Sequence, residues 1–147
     1  MHRMKWSLII LIALAACRVT FINGYDPVID QTATKLKSDF NVFWFKLSRT
    51  IQDNDSSNQK FENFQDYYDH LEADLLSLTK RASFLPPKSQ IVQQQVHNVD
   101  STMHVFISIH KNGIPDRQGD DRHDLHDAVD ASLDGLIKLQ EELKNSK

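Results

Sequence analysis

Residues 61–82 read FENFQDYYDHLEADLLSLTKRA and contain the most regular apolar pattern in this chain. The pattern consists of seven positions whose spacing alternates between three and four residues: Phe61, Phe64, Tyr68, Leu71, Leu75, Leu78 and Ala82. Such spacing is typical of one face of an α-helix, because the helix repeats about every 3.6 residues. The stretch therefore predicts an amphipathic helix with one buried face.

A segment with the same spacing precedes this stretch. Asp26 suits the N-cap of a helix and Pro27 suits its first position, so we expect the helix to begin there. It should run to about Gln52, before the polar residues 53–58. Its apolar face contains Ile29, Ala33, Leu36, Phe40, Phe43 and Leu47.

Two more helices are predicted after residue 82. The third begins at Pro87 or Ser89 and ends at Lys111, where Gly113 can cap it. Its face contains Val92, Val96, Val99, Met103, Phe106 and His110. The fourth runs from about Asp121 to Leu143. Its face contains Leu125, Val129, Leu133, Leu136, Ile137 and Leu143.

Four helices of about 20 residues with short connections predict an all-α fold, an antiparallel up-down-up-down four-helix bundle. The bundle is expected over residues 26–147. The near 3.5-residue spacing of its apolar positions favours left-handed packing of the coiled-coil type.

The N-terminal residues have a different character. Arg3 and Lys5 precede an apolar run over residues 6–16, in which Ser7 is the one polar residue. A membrane-spanning helix needs about 20 apolar residues, so this run is too short to span a bilayer and is typical of a secretory signal peptide. We therefore expect residues 1–16 to be a signal peptide.

The apolar run ends in Leu14-Ala15-Ala16-Cys17, and Cys17 is the only cysteine in the chain. This motif resembles the lipobox of bacterial lipoproteins, and the resemblance covers about the first 17 residues. It implies cleavage before Cys17, diacylglycerol on its sulfur and acylation of the new amine. Two alternatives are an ordinary secretory signal cleaved near Ala15 or Ala16, and an uncleaved anchor.

The same resemblance implies a location. Residues 17–25 would be a lipidated cysteine and a short tether, which attaches the protein to a membrane of the bacterial cell envelope. Arg18 follows the cysteine. In lipoproteins of the enterobacterial type, Asp at that position resembles an inner-membrane retention signal. Its absence favours the outer membrane, with the bundle facing the periplasm.

The charge of the chain argues against one class of partner. The formal net charge is −3, and removal of Arg3 and Lys5 with the signal peptide would make it −5. Proteins that bind nucleic acid carry clustered Lys and Arg. We therefore expect no nucleic-acid partner.

The strongest candidate for a metal site is the start of the fourth helix. His123 and His126 are three residues apart and would point the same way from a helix, with Asp127 nearby. Two imidazoles and a carboxylate could bind Zn²⁺ or Cu²⁺ together with a fourth ligand. The alternative is a solvated helix start whose acids interact with the helix dipole. We expect no metal and no cofactor.

A candidate interface lies on the first helix. Residues 42–45 read VFWF and are apolar around more than half of the helix circumference. Phe43 belongs to the core face, so Trp44 or Phe45 should lie outside it. Exposed large aromatic residues are enriched at interfaces. The alternatives are that this helix is the most buried of the four, or that the tether covers it.

Three classes of function follow. The first is a lipid-anchored, non-enzymatic interaction or structural module, which binds another envelope protein or itself. The second is a periplasmic lipoprotein that binds a metal or small ligand through the bundle interior or the His123/His126 region. The third, an enzyme, is disfavoured because the sequence contains no catalytic motif.

Overall fold

The computed structural model describes residues 24–52, 57–113 and 120–146. These residues form four α-helices: α1 (Pro27–Gln52), α2 (Gln65–Ser83), α3 (Gln90–Lys111) and α4 (Asp120–Asn145). Single turns of 3₁₀ helix, Phe61–Phe64 and Pro87–Ser89, precede α2 and α3. No strand occurs in the described ranges.

The four helices form a ring of neighbours. The helices α1 and α2, α2 and α3, and α3 and α4 pack against each other, and α4 closes the ring by packing against α1. Short connections place successive helices antiparallel to each other. The predicted all-α four-helix bundle is therefore confirmed.

Most of the buried residues are those that the spacing assigned to the helix faces. Trp44, Ile107 and Gln140 are buried in addition, whereas Leu125, Ile137 and Leu143 are only partly buried. Along α2 they are Tyr68, Leu71, Leu75, Leu78 and Ala82, and along α3 they are Val92, Val96, Val99, Met103, Phe106, Ile107 and His110. Helix α1 contributes Ile29, Ala33, Leu36, Phe40, Phe43, Trp44 and Leu47. Helix α4 contributes Val129, Leu133 and Leu136, with Gln140 buried in the same row.

Two helix ends have the capping groups that the sequence predicts. The Asp26 Oδ1 atom accepts hydrogen bonds from the backbone N–H groups of Val28 at 2.9 Å and Ile29 at 3.2 Å, as an N-cap residue does. After α3, Gly113 has a φ of 89°, a left-handed conformation that glycine adopts without steric cost.

We define the proximal end of the bundle as the end where the described chain begins. It contains the starts of α1 and α3 and the ends of α2 and α4. The other end is the distal end. Gly24 is buried at the proximal end, and a Cβ atom on it would lie 3.2 Å from Val92 Cγ2 and 3.4 Å from Leu143 Cδ1. Gly24, near the end of the predicted tether, thus packs on α3 and α4.

Candidate functional site

Asp26 is the central polar residue of the proximal end. Its buried carboxylate accepts hydrogen bonds from Arg81, at 2.8 Å from Nε and 2.7 Å from Nη2. Burial raises the pKa of Asp26, but the hydrogen bonds from Arg81, Ile29 and Val28 outweigh it and hold the pKa below its usual value. One carboxylate thus caps α1 and joins it to the end of α2.

Two more fully buried polar side chains, Gln140 and Ser89, lie at the proximal end. The backbone N–H of Asp26 donates to Gln140 Oε1 at 2.8 Å, which joins the start of α1 to the end of α4. Gln140 Nε2 and Ser89 Oγ have no hydrogen-bond partner among the described residues. Ser89 precedes α3, and its hydroxyl does not cap that helix. The proximal end is therefore fixed by polar contacts among helices α1, α2 and α4.

The surface of the proximal end has exposed apolar residues. Phe84, in the connection between α2 and α3, is 81 % exposed, and Ile91 and Val28 are exposed in the first turns of α3 and α1. Lys80 and Lys88 are exposed on either side of Phe84 in the sequence. Exposed apolar and cationic side chains thus occur together at the proximal end.

The distal end contains a cluster of aromatic rings. Phe43 stacks on Tyr67 with ring centroids 4.3 Å apart, and Phe61 stacks on Tyr68 at 4.5 Å. Phe106 contacts Phe43 edge to face at 5.8 Å. Aromatic pairs in these geometries stabilise a core beyond the area they bury. The cluster packs the first residues of α2 and its 3₁₀ turn against α1 and α3.

A buried Tyr–His pair lies inside this cluster. His110 Nε2 donates to the backbone oxygen of Gln59 at 2.7 Å, so His110 Nδ1 can accept a hydrogen bond from the Tyr68 hydroxyl, 2.5 Å away. Burial lowers the pKa of His110 and raises the pKa of Tyr68. Both groups are therefore neutral at physiological pH and hold the loop before α2 against α3. A signal for this pair is present in the sequence, since both residues lie on predicted buried faces.

The two candidate interface residues differ in exposure. Trp44 is 8 % exposed and packs on Phe40 and Phe106, so it belongs to the core and does not line a surface. Phe45 is 61 % exposed, and Val42, one turn before it, is 52 % exposed. The candidate interface is therefore corrected from Trp44 and Phe45 to Phe45 together with Val42.

The candidate metal ligands His123 and His126 differ in exposure. His126 lies over the rings of Phe40 and Trp44, at centroid distances of 5.6 and 5.1 Å. Its Nε2 is 3.0 Å from Asn41 Oδ1 and its Nδ1 is 3.1 Å from Asp127 Oδ1. His123 is exposed. No group of three His, Cys, Asp or Glu side chains in the described part of the chain is arranged to bind a metal ion.

An open groove runs between α2 and α3. Its lining includes Asp69, Leu76, Asp100 and His104. His104 Nδ1 lies 2.8 Å from the backbone oxygen of Asp100, one turn earlier in the same helix. The imidazole is thus held by its own helix.

The predicted lipidation site, Cys17, lies outside the described residues. None of the four described helices has the length and apolar character that a bilayer crossing requires. No protein-family model, curated protein or solved structure matches this chain. Function is therefore inferred from the residues and their arrangement.

Proposed function

We propose that this protein is a lipid-anchored protein of the bacterial cell envelope. Its four-helix bundle would act as a non-enzymatic interaction or structural module. The observation that carries the proposal is Leu14-Ala15-Ala16-Cys17, a lipobox-like motif at the end of a signal-like segment that contains the only cysteine. Diacylglycerol and an N-acyl chain on Cys17 exceed the two membrane signals that stable anchoring requires.

The position of Gly24 in the bundle supports this arrangement. Since Gly24 is buried at the proximal end, attachment at Cys17 would hold the bundle by that end. Phe45 lies 18 residues after Pro27 on α1, about 27 Å further along the helix at 1.5 Å per residue. A lipid-anchored bundle could therefore present Phe45 well away from the attachment point.

Phe45 and Val42 are the surface that we assign to a protein partner. They lie one turn apart on α1 and are both more than half exposed, so they do not contribute to the monomer core. Burial of an exposed aromatic side chain is a common source of binding energy at interfaces. The partner would be another envelope protein or a second copy of this chain, most simply at the outer membrane and facing the periplasm.

The alternative of a metal-binding or small-ligand-binding lipoprotein has less support. His126 is stacked in the aromatic cluster and contacts Asn41 and Asp127 through its two ring nitrogens. One of these ring nitrogens would have to leave its contact for His126 to bind a metal ion together with His123.

The anchor is tested by comparing wild-type protein with the Cys17→Ser variant. We expect wild-type protein to fractionate with membranes with its N-terminus at Cys17. The variant should lack acyl mass and should not be cleaved before residue 17. If the variant and wild type are equally membrane-bound and equally unprocessed, the lipoprotein assignment is wrong.

The interaction surface is tested with a matched pair of valines. Val42 and Val105 are 52 % and 56 % exposed, but Val42 lies beside Phe45 on α1 whereas Val105 lies on α3. We expect Phe45→Ser and Val42→Ser to reduce a complex detected by cross-linking in membranes and by native mass spectrometry. Val105→Ser should leave it intact. A monomer without any cross-linked partner, or equal losses for all three variants, would contradict the proposal.

A further inference from the structure

The connection between α2 and α3 combines features that the monomer fold does not explain. Residues 80–91 read KRASFLPPKSQI and contain three cations and no acidic residue. Arg81 binds Asp26, whereas Lys80 and Lys88 are exposed and form no ion pair with the described residues. In the sequence, Phe84 lies between these lysines, and it is 81 % exposed. An aromatic side chain so far from the core contributes little to folding.

Other residues of the proximal end define the direction of this surface. Val28 and Ile91 are exposed apolar residues in the first turns of α1 and α3. The exposed acids Glu141 and Glu142 lie on α4. The α4 side of the proximal end thus carries these acids together with the exposed Lys144, whereas residues 80–91 of the α2–α3 connection contain no acid.

The distance from Cys17 limits what this surface can face. Six residues, 18–23, separate Cys17 from Gly24, which is packed into the proximal end. A fully extended chain spans at most about 3.6 Å per residue, so Gly24 lies no more than about 25 Å from a lipidated Cys17. With that anchor, the start of the bundle stays within reach of the bilayer, which allows the proximal end to contact it.

We propose that the proximal end docks on the surface of the lipid bilayer, an inference that rests on the proposed anchor at Cys17. Phe84 enters the boundary between headgroups and acyl chains, with Ile91 beside it. Lys80 and Lys88 contact anionic headgroups. Aromatic and cationic side chains together are typical of interfacial membrane contacts. Because the anchor supplies a high effective concentration of lipid, a small surface is sufficient for docking.

Docking in this way fixes the orientation of the bundle. The helix axes then rise from the bilayer, and the distal end is held away from it. Phe45 remains in the aqueous phase, where a partner can reach it.

The test uses protein extracted from membranes and reconstituted into vesicles of phosphatidylcholine and phosphatidylglycerol that contain doxyl-labelled lipid. Phe84→Trp adds a fluorophore at the proximal end, and Phe45→Trp adds one at an exposed aromatic position near the distal end. Wild-type emission, which includes buried Trp44, is subtracted from both. We expect doxyl lipid to quench most of the emission added by Phe84→Trp and to leave that of Phe45→Trp unchanged.

The charge contribution is tested by a second pair of variants. The double variant Lys80→Glu, Lys88→Glu, made in the Phe84→Trp background, should lose quenching when phosphatidylglycerol is present. The matched variant Lys46→Glu, Lys60→Glu changes two exposed lysines outside the proximal end. In this variant the quenching by doxyl lipid should remain. Equal effects of the two double variants would overturn the assignment of Lys80 and Lys88.

The intact mass of the same sample separates docking from the anchor. Acyl mass at Cys17 with no quenching of Phe84→Trp overturns docking and leaves the anchor in place. Without acyl mass, the anchor is wrong. In that case, quenching of Phe84→Trp would still support a lipid-binding surface, and its absence would overturn both proposals.

Discussion

Asp26 is the residue whose replacement should most directly weaken the proximal end. Its carboxylate makes two cap bonds to α1 and binds Arg81 on α2. Replacement by Ala removes both interactions, whereas Asn keeps an oxygen that can cap the helix but loses the charge. Loss of an N-cap costs about 1 to 2 kcal/mol, and loss of the contact with Arg81 adds to that cost.

We expect the free energy of unfolding to be highest for wild type, lower for Asp26→Asn and lowest for Asp26→Ala. Urea titration followed by far-ultraviolet circular dichroism and by Trp44 fluorescence measures it. Asp39→Ala is the matched control, because Asp39 is an exposed residue of the same helix that pairs with Lys35 at 2.9 Å. An exposed ion pair contributes about 0.5 kcal/mol or less, so this control should differ little from wild type.

The effect of Asp26 should depend on pH in a defined direction. Because the pKa of Asp26 is lower in the folded protein than in the unfolded chain, its ionisation stabilises the fold above about pH 4. That stabilisation is lost as the pH falls through the folded-state pKa. The difference in the free energy of unfolding between wild type and Asp26→Asn should therefore become smaller at acidic pH. A loss in Asp26→Ala no larger than in Asp39→Ala would refute this account of the proximal end.

Three further predictions concern Ser89, Gly135 and His110. Ser89→Ala should raise the free energy of unfolding by about 1 kcal/mol in urea titration. The buried hydroxyl has no hydrogen-bond partner among the described residues and does not cap α3. A lower free energy of unfolding in the variant would contradict this prediction. Gly135→Ala should raise the free energy of unfolding by about 0.5 kcal/mol, since Ala favours a helix interior. The new Cβ would lie 2.6 Å from Gln95 Nε2, the end of a flexible side chain that can move; a clear loss of stability would show that Gln95 cannot move. The free energy of unfolding should also fall as the pH drops below about 6.5, because burial lowers the pKa of His110 in the folded state. The slope for this one proton is at most about 1.4 kcal/mol per pH unit. The His110→Gln variant should show a shallower pH dependence, and an unchanged slope would be inconsistent with this assignment.

The helices were predictable because the local signals agree with the packing. The three-four spacing of residues 61–82 predicted the buried face of α2, and Asp26 with Pro27 predicted the start of α1. The predicted ends of α3 at Lys111 and of α4 at Leu143 lie within two residues of those observed. Turn-forming residues separate the periodic segments, so few alternative topologies compete with the bundle.

The burial of Trp44 could have been predicted from spacing. Trp44 lies four residues after Phe40 and three before Leu47, so it continues the core face of α1, whereas Phe45 is rotated about 100° further. The prediction left Trp44 and Phe45 as alternatives for the residue outside the core face. Each position should have been compared with the helical period.

The positions of two polar residues of α4 follow the same rule. The row of Val129, Leu133 and Leu136 extends by a three-residue step back to His126 and by a four-residue step forward to Gln140. His126 was predicted to be either a metal ligand or part of a solvated helix start, and no role was predicted for Gln140. Their partners become visible only when α1 is packed against α4. His126 then contacts Asn41 and the aromatic rings, and Gln140 accepts a hydrogen bond from the Asp26 N–H.

Intact mass spectrometry of the protein extracted from its own membranes determines whether Cys17 is lipidated. We expect a single chain that begins at Cys17 and carries the added mass of diacylglycerol and an N-linked acyl chain. An unmodified Cys17, in a chain that begins at another residue or retains residues 1–16, would contradict this expectation.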